Sequence, residues 1–165
     1  MPQALRHGKP RSSAAMPFLM PFLMPSEADP MNGTIVLADT NVISEFVKKT
    51  PDPRVMQWLQ SVELMAISTI TLEEAHFGLA WQSNTRKLAL FNALVVQLHA
   101  VYPITPSIAQ RAGAMRGQFQ GQGIVRSAPD MLIAATAMEH QLVLATRNVR
   151  DFMGCGVQVV NPFDE

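Results

Sequence analysis

The chain has 165 residues, 48% of them apolar and 16% charged, with no formal net charge at neutral pH. Such a balance suits one globular domain with a real core, and it excludes a disordered chain or one that grips nucleic acid through bulk charge alone. Cys155 is the only cysteine, which rules out an intrachain disulfide and a cysteine-based zinc site and suits a reducing cytosol.

The first thirty residues differ from the rest. Arg6, Lys9 and Arg11 precede AAMPFLMPFLMPSEADP, which has the outline of a signal peptide. Pro17, Pro21 and Pro25 break its apolar run, however, and no small-x-small cleavage site follows cleanly. The run also falls far short of the roughly 20 apolar residues of a membrane span. Residues 1–30 are therefore expected to be a disordered leader, and residues 31–165 a single domain. A chain beginning at Met31 is expected to fold and act like the full one.

From Met31 onward strands alternate with helices. Ile35 to Ala38 reads as a buried strand, and Val42, Ile43, Phe46 and Val47 form a helical stripe that stops before Pro51. Val55, Met56, Trp58 and Leu59 mark a short second helix. Leu64 to Ser68 is a strand candidate, followed by a helix with Leu72, Ala75 and Leu79 on one side. Leu88, Phe91, Leu94, Val95 and Leu98 define a longer helix leading into AVYPI. Thr105-Pro106 is a strong helix start, continued by Ile108, Ala112, Met115 and Phe119. GQGIVRSAP reads as a loop, Asp130 to His140 as a buried helix, and LVLAT as the next strand. Strands separated by helices imply a parallel sheet covered on both faces, whose ligand sites gather at the carboxyl ends of the strands.

That arrangement gives the acids a place. Asp39 closes the first strand, Asn148 follows LVLAT, Asp130 opens a buried helix, and Glu74 lies in the first turn of another. Carboxylates crowded at one sheet edge repel one another unless something positive binds between them. Oxygen ligands without a paired His or Cys point to magnesium or manganese rather than zinc. Each acid also has a purely structural reading. Asp39 can cap the helix that follows it, Glu74 completes the capping-box spacing Thr71-Leu72-Glu73-Glu74, and Asp130 can be an N-cap or a first-turn acid. Asn148 and Asp151 can be turn residues. His76, His99 and His140 have no ligand-spaced partner and read as packing or surface histidines.

Taken together, LADTNVISEF, ISTITLEEAHFG, DMLIAATAMEHQLVLATRN and NVRDF resemble, in this order, the motifs of PIN-domain ribonucleases, specifically the VapC-type and FitB-like toxins of bacterial toxin–antitoxin modules. The likeness spans Ile35 to Phe163. It implies a PIN-like three-layer α/β/α sandwich with a mostly parallel central sheet. It makes Asp39 and Asp130 the metal-binding aspartates and Glu74 the second-block acid. Many relatives carry a further acid directly after the strand where this chain has Asn148, and Asp151 is the candidate to replace it.

The implied activity is Mg²⁺-dependent hydrolysis of RNA phosphodiester bonds, with Mn²⁺ as the alternative ion and no covalent intermediate. Thr40, Asn41 and Thr146 are expected to support the site through hydrogen bonds, and Arg126 or Arg147 to hold the RNA backbone. The implied partners are RNA, a cognate VapB-type antitoxin and a second copy of the chain, in the cytoplasm and away from membranes. Two rivals remain. In a haloacid-dehalogenase-like phosphatase Asp39 would be the nucleophile, although Asn41 stands where such folds usually want a second aspartate. In a non-catalytic member, the fold would bind antitoxin or RNA without cutting.

Overall fold

Strands with apolar side chains on both faces need cover from both sides, and the helices divide to supply it. The structure, a computed structural model, describes residues 34–164; the expected leader over residues 1–30 and the domain start at Met31 lie outside them. The chain runs β1 (Ile35–Ala38), α1 (Thr40–Ile43), a 3₁₀ turn (Ser44–Val47), α2 (Pro53–Leu59), β2 (Leu64–Ser68), α3 (Thr69–Trp81) and α4 (Thr85–Val95). It continues through β3 (Ala100–Tyr102), α5 (Pro106–Gly121), α6 (Ala128–Glu139), β4 (Val143–Ala145), α7 (Val149–Phe152) and β5 (Val159–Val160).

The five strands among the described residues are all parallel, in the order β3-β2-β1-β4-β5. The expected PIN-like α/β/α sandwich is what forms, with a sheet that is parallel throughout. Alternation along the strands sends Val36, Ala38, Met65 and Ile67 into one core with Val42, Val55, Phe91 and Leu94 from α1, α2 and α4. Leu37, Ala66 and Leu144 face the other core, filled by Ile108, Met115, Met131 and Ile133 from α5 and α6. The β1–β2–β3 crossovers therefore cover one face and the β3–β4 crossover the other. Their change of side leaves a crevice between the carboxyl ends of β1 and β4, the switch point at which such folds bind ligands. Among the described residues, no helix is long and apolar enough to cross a membrane.

Several elements differ from the sequence-based expectation. The helical stripe after β1 is split, because the α-helix gives way to the 3₁₀ turn at Ser44. Helix α3 starts earlier than a Thr71 cap would allow, since the Ser68 hydroxyl accepts from the Thr71 N–H at 3.0 Å. Glu74 consequently lies in the second turn of α3 and closes no capping box. Helix α6 begins at Ala128 rather than Asp130, because Ser127 supplies the cap.

Candidate active site

Asp39 is the centre of the switch point. Its backbone N–H continues the ladder by donating to the Ala145 carbonyl at 2.9 Å, which ties the end of β1 to the end of β4. Only 5% of the residue is exposed. One carboxylate oxygen, Oδ1, accepts from the Thr40 N–H at 2.7 Å and so caps α1. The other, Oδ2, accepts from Thr146 Oγ1 at 2.6 Å and from Asn41 Nδ2 at 2.7 Å. Capping and site-building are thus divided between the two oxygens of one side chain. The Asn41 side chain also spans the crevice, its Oδ1 accepting from the Arg147 N–H at 2.9 Å. Thr146 Oγ1 in turn accepts from the Asn148 N–H at 3.0 Å.

Burial raises the Asp39 pKa above the usual 3.8; its hydrogen bonds pull the other way, and the charge of Asp130 adds to the rise. Glu74 approaches from α3, half-buried, and accepts a hydrogen bond from the Thr40 hydroxyl. Its pKa is also raised, first by burial and then by the charges of Asp39, Asp130 and Glu73. Asp130 sits in the first turn of α6, where its N–H donates to Ser127 Oγ at 3.1 Å and its carboxylate accepts from the same hydroxyl at 2.5 Å. Asp39, Glu74 and Asp130 therefore act on one another electrostatically.

The fourth position is open. Asn148 is exposed at the start of α7 and makes no side-chain capping bond. Asp151 is half-exposed, and its carboxylate lies 3.9 Å from Arg126 Nη1. Neither residue is among the main electrostatic neighbours of Asp39 or Glu74. Arg126 is not free to hold RNA as expected, because both of its terminal nitrogens donate to backbone carbonyls, those of Arg150 and Met153. The guanidinium of Arg147 lies 3.8 Å over the Phe163 ring. His76 packs edge-to-face on Phe91, and His140 stacks on Tyr102, both as packing residues.

One residue of this region escaped the sequence reading. Glu45 is 1% exposed, with Lys48 Nζ at 2.5 Å, Arg147 Nη2 at 3.6 Å and the Asp52 N–H donating to it at 2.9 Å. It anchors the side chain of Arg147, whose own N–H holds Asn41. Lys48 three residues on was the available signal, but the pairing with Arg147 crosses most of the chain. Beside the acids, a cavity of about 220 Å³ is lined by Thr40, Glu74, Lys48, Lys87, Leu79 and Phe91.

Among the described residues, no three His, Cys, Asp or Glu side chains stand close enough together to hold a metal ion. Glu74 and Asp130 are each engaged by a hydroxyl instead. The donor chemistry nevertheless fits a hard divalent cation, since the acids offer only oxygen and their mutual repulsion is relieved by positive charge.

The PIN domain family pattern matches residues 36–152. Toxin FitB of Neisseria gonorrhoeae is 34% identical over 139 residues, covering 79% of this chain and 100% of that protein. The VapC ribonuclease Y4jK of Sinorhizobium fredii is 31% identical over 138 residues, covering 79% of this chain and 99% of that protein. The crystal structure of FitAcB from Neisseria gonorrhoeae superposes with a TM-score of 0.69 at 33% identity, over 79% of this chain and 99% of that one. The match runs from the strand that delivers Asp39 to the helix beyond Thr146, and the chain belongs to the PIN-domain family, with the VapC-type and FitB-like toxins as relatives.

Proposed function

We propose that the protein is the toxin of a type II toxin–antitoxin module, an Mg²⁺- or Mn²⁺-dependent endoribonuclease that hydrolyses RNA phosphodiester bonds in the cytoplasm. The observation that carries this reading is the buried Asp39 carboxylate, held by Thr40, Asn41 and Thr146 at the switch point and under repulsion from Asp130. Asp39 and Asp130 would hold the ion, which when bound supplies positive charge to acidify a water and to offset charge on the scissile phosphate.

The chain's own residues do the rest. Thr146 and Asn41 orient the Asp39 carboxylate, so that its geometry is fixed before RNA arrives. Glu74, with a raised pKa, is suited to take a proton from the attacking water, and the Thr40 hydroxyl holds it in place. Lys87, lining the cavity that shares Thr40 and Glu74, offers positive charge to the RNA backbone.

Relatives supply the partner. Solved relatives include FitAB bound to a DNA fragment, at 31% identity, and a toxin–antitoxin complex from Klebsiella pneumoniae, at 29%. By analogy this chain pairs with a VapB-type antitoxin, and as a homodimer.

A second reading has one observation in its favour. The acids do not converge to ligand distance among themselves, as suits a PIN-fold protein that binds RNA or antitoxin without cutting. The phosphatase reading is weaker, since Asn41 stands where such folds usually want a second aspartate and its side chain is spent on Asp39 and the Arg147 N–H.

The test is to sequence RNA ends after induction in cells and to assay the purified protein on RNA with Mg²⁺, Mn²⁺ or excess EDTA. New ends in cells, and cleavage that EDTA stops and either ion restores, are expected. Undiminished cleavage in EDTA removes the metal from the reading. Metal-independent RNA binding with no new ends favours the non-cutting protein, and covalent phosphate labelling of Asp39 favours the phosphatase.

A further inference from the structure

A charged side chain with only 12% of its surface exposed is costly unless its donors find partners; Arg126 places both terminal nitrogens on the backbone of another element and leaves its buried Nε without a hydrogen bond. Its Nη1 donates to the Arg150 carbonyl at 2.7 Å and its Nη2 to the Met153 carbonyl at 3.0 Å. Those oxygens belong to the end of α7, a four-residue helix whose C-terminus favours a cation; the Arg150 carbonyl also accepts from the Met153 N–H at 3.4 Å. The guanidinium plane also lies 4.9 Å from the centre of the Phe119 ring on α5. Arg126 therefore joins three elements.

Its place in the chain gives that junction a function. The next residue, Ser127, caps α6 and holds Asp130 through two hydrogen bonds. The segment that Arg126 grips carries Asp151 and follows Asn148. We propose that Arg126 is a positioning residue for the acid site: it fixes the first turn of α6, with Asp130, against α7, and thereby sets how readily the site takes up a divalent cation. This role rests on the metal-dependent reading above. It replaces a direct role in holding RNA, because a guanidinium whose fork is committed to two carbonyls has little left for a phosphate.

Arg126→Lys and Arg126→Met separate the possibilities. Lysine keeps the charge but lacks the planar fork that reaches two carbonyls at once, so the two variants should behave alike. The full chain, without RNA, is melted over a series of Mg²⁺ concentrations, each variant being compared with its own metal-free melt so that a weakened fold does not obscure the shift. The concentration giving half the Mg²⁺-dependent rise is expected to increase about tenfold in both variants. In cleavage assays kcat should fall at the wild-type Mg²⁺ optimum, while KM for RNA and its salt dependence stay as in wild type.

Three results overturn the proposal. An unchanged Mg²⁺ requirement in both variants makes Arg126 a brace for the fold only. A raised KM with a shallower salt dependence makes it an RNA contact. Full recovery of Mg²⁺ uptake by lysine alone shows that charge, and not the fork, is what matters. A wild-type melt that ignores Mg²⁺ sinks the metal reading itself and takes this role with it, an outcome separate from the other three.

Discussion

Asp39 and Asp151 follow neighbouring strands, β1 and β4, yet they stand in opposite environments. Asp39 is 5% exposed and its carboxylate accepts from three donors, whereas the Asp151 side chain is 49% exposed and has a guanidinium nitrogen at 3.9 Å. The difference lies in what each strand end is tied to. The Asp39 N–H extends the β1–β4 ladder, so the sheet itself fixes that carboxylate. Asp151 hangs on a four-residue helix that Phe152 docks on the core and Arg126 ties to the start of α6. One half of the crevice is therefore set by the sheet, and the other by a short helix docked beside it.

The charge of Asp130 reaches both Asp39 and Glu74, and changing it should have the largest effect. Asp130→Asn is expected to reduce RNA cleavage to background. The metal-free protein should melt at the wild-type temperature or up to about 4 °C above it, since the substitution removes a charge that opposes ionisation of both Asp39 and Glu74. Mg²⁺ should then raise the melting temperature of wild type far more than that of the variant, because a ligand stabilises only the state that binds it. If Asp130 serves only the first turn of α6, asparagine should leave both the cleavage and the Mg²⁺ shift nearly intact, and paired melts and assays would show it.

A smaller break tests whether the fixed half depends on its support. Thr146 donates to Asp39 and accepts from the Asn148 N–H, joining the two strand ends at one hydroxyl. Thr146→Val removes that hydroxyl while keeping the branched shape. Activity should drop by about 10- to 100-fold, with about 1–3 kcal/mol lost from the fold as buried groups go unpaired. Thr146→Ser should recover most of both. Loss of stability without loss of kcat/KM would confine Thr146 to the fold.

The parts of the molecule that could be read in the sequence are those where one local signal decides the outcome. β1 and β2 begin and end where their apolar runs do, and Thr105-Pro106 starts α5 as such a pair should. Positions with two competing caps were misplaced. Thr71 has capping-box spacing to Glu74, but Ser68 lies three residues before Thr71 and its hydroxyl takes the Thr71 N–H. Helix α6 moved for the same reason, through Ser127. β5 could not be read at all, because two valines become a strand only by pairing with β4.

The candidate acids were legible as residue types at strand and helix ends. Their spacing was not, because Thr40 and Ser127 turn two of the carboxylates toward hydroxyls. The pairings of Arg126 and Glu45 were hidden for a different reason. Their partners, the carbonyls of Arg150 and Met153 in one case and Arg147 in the other, come near only once the sheet has formed.

The smallest expected effect is a change in how stability follows pH, and it separates the crowded acids of the crevice from an acid paired with arginine. Asp39 and Glu74 have folded-state pKa values raised above the usual 3.8 and 4.5. A raised carboxylate binds its proton more tightly in the folded chain than in the unfolded one. Its contribution to stability is therefore fully present below the unfolded pKa and is lost as pH rises through the folded pKa. Asp52, at the surface and ion-paired with Arg54, has the opposite sign; its pKa is lowered, so its small contribution is present above the unfolded value and is lost as pH falls. Because Asp39 and Glu74 interact, they should titrate as a pair. Divalent cations reverse their sign, since binding requires the ionised form. The rise in melting temperature on adding Mg²⁺ should accordingly be larger at about pH 7.5 than at about pH 5, and Glu74→Gln should flatten the metal-free decline as pH rises through the raised carboxylate pKa. An Mg²⁺ shift that is equal at both values, or larger in acid, would mean that the ion is held by groups other than these carboxylates.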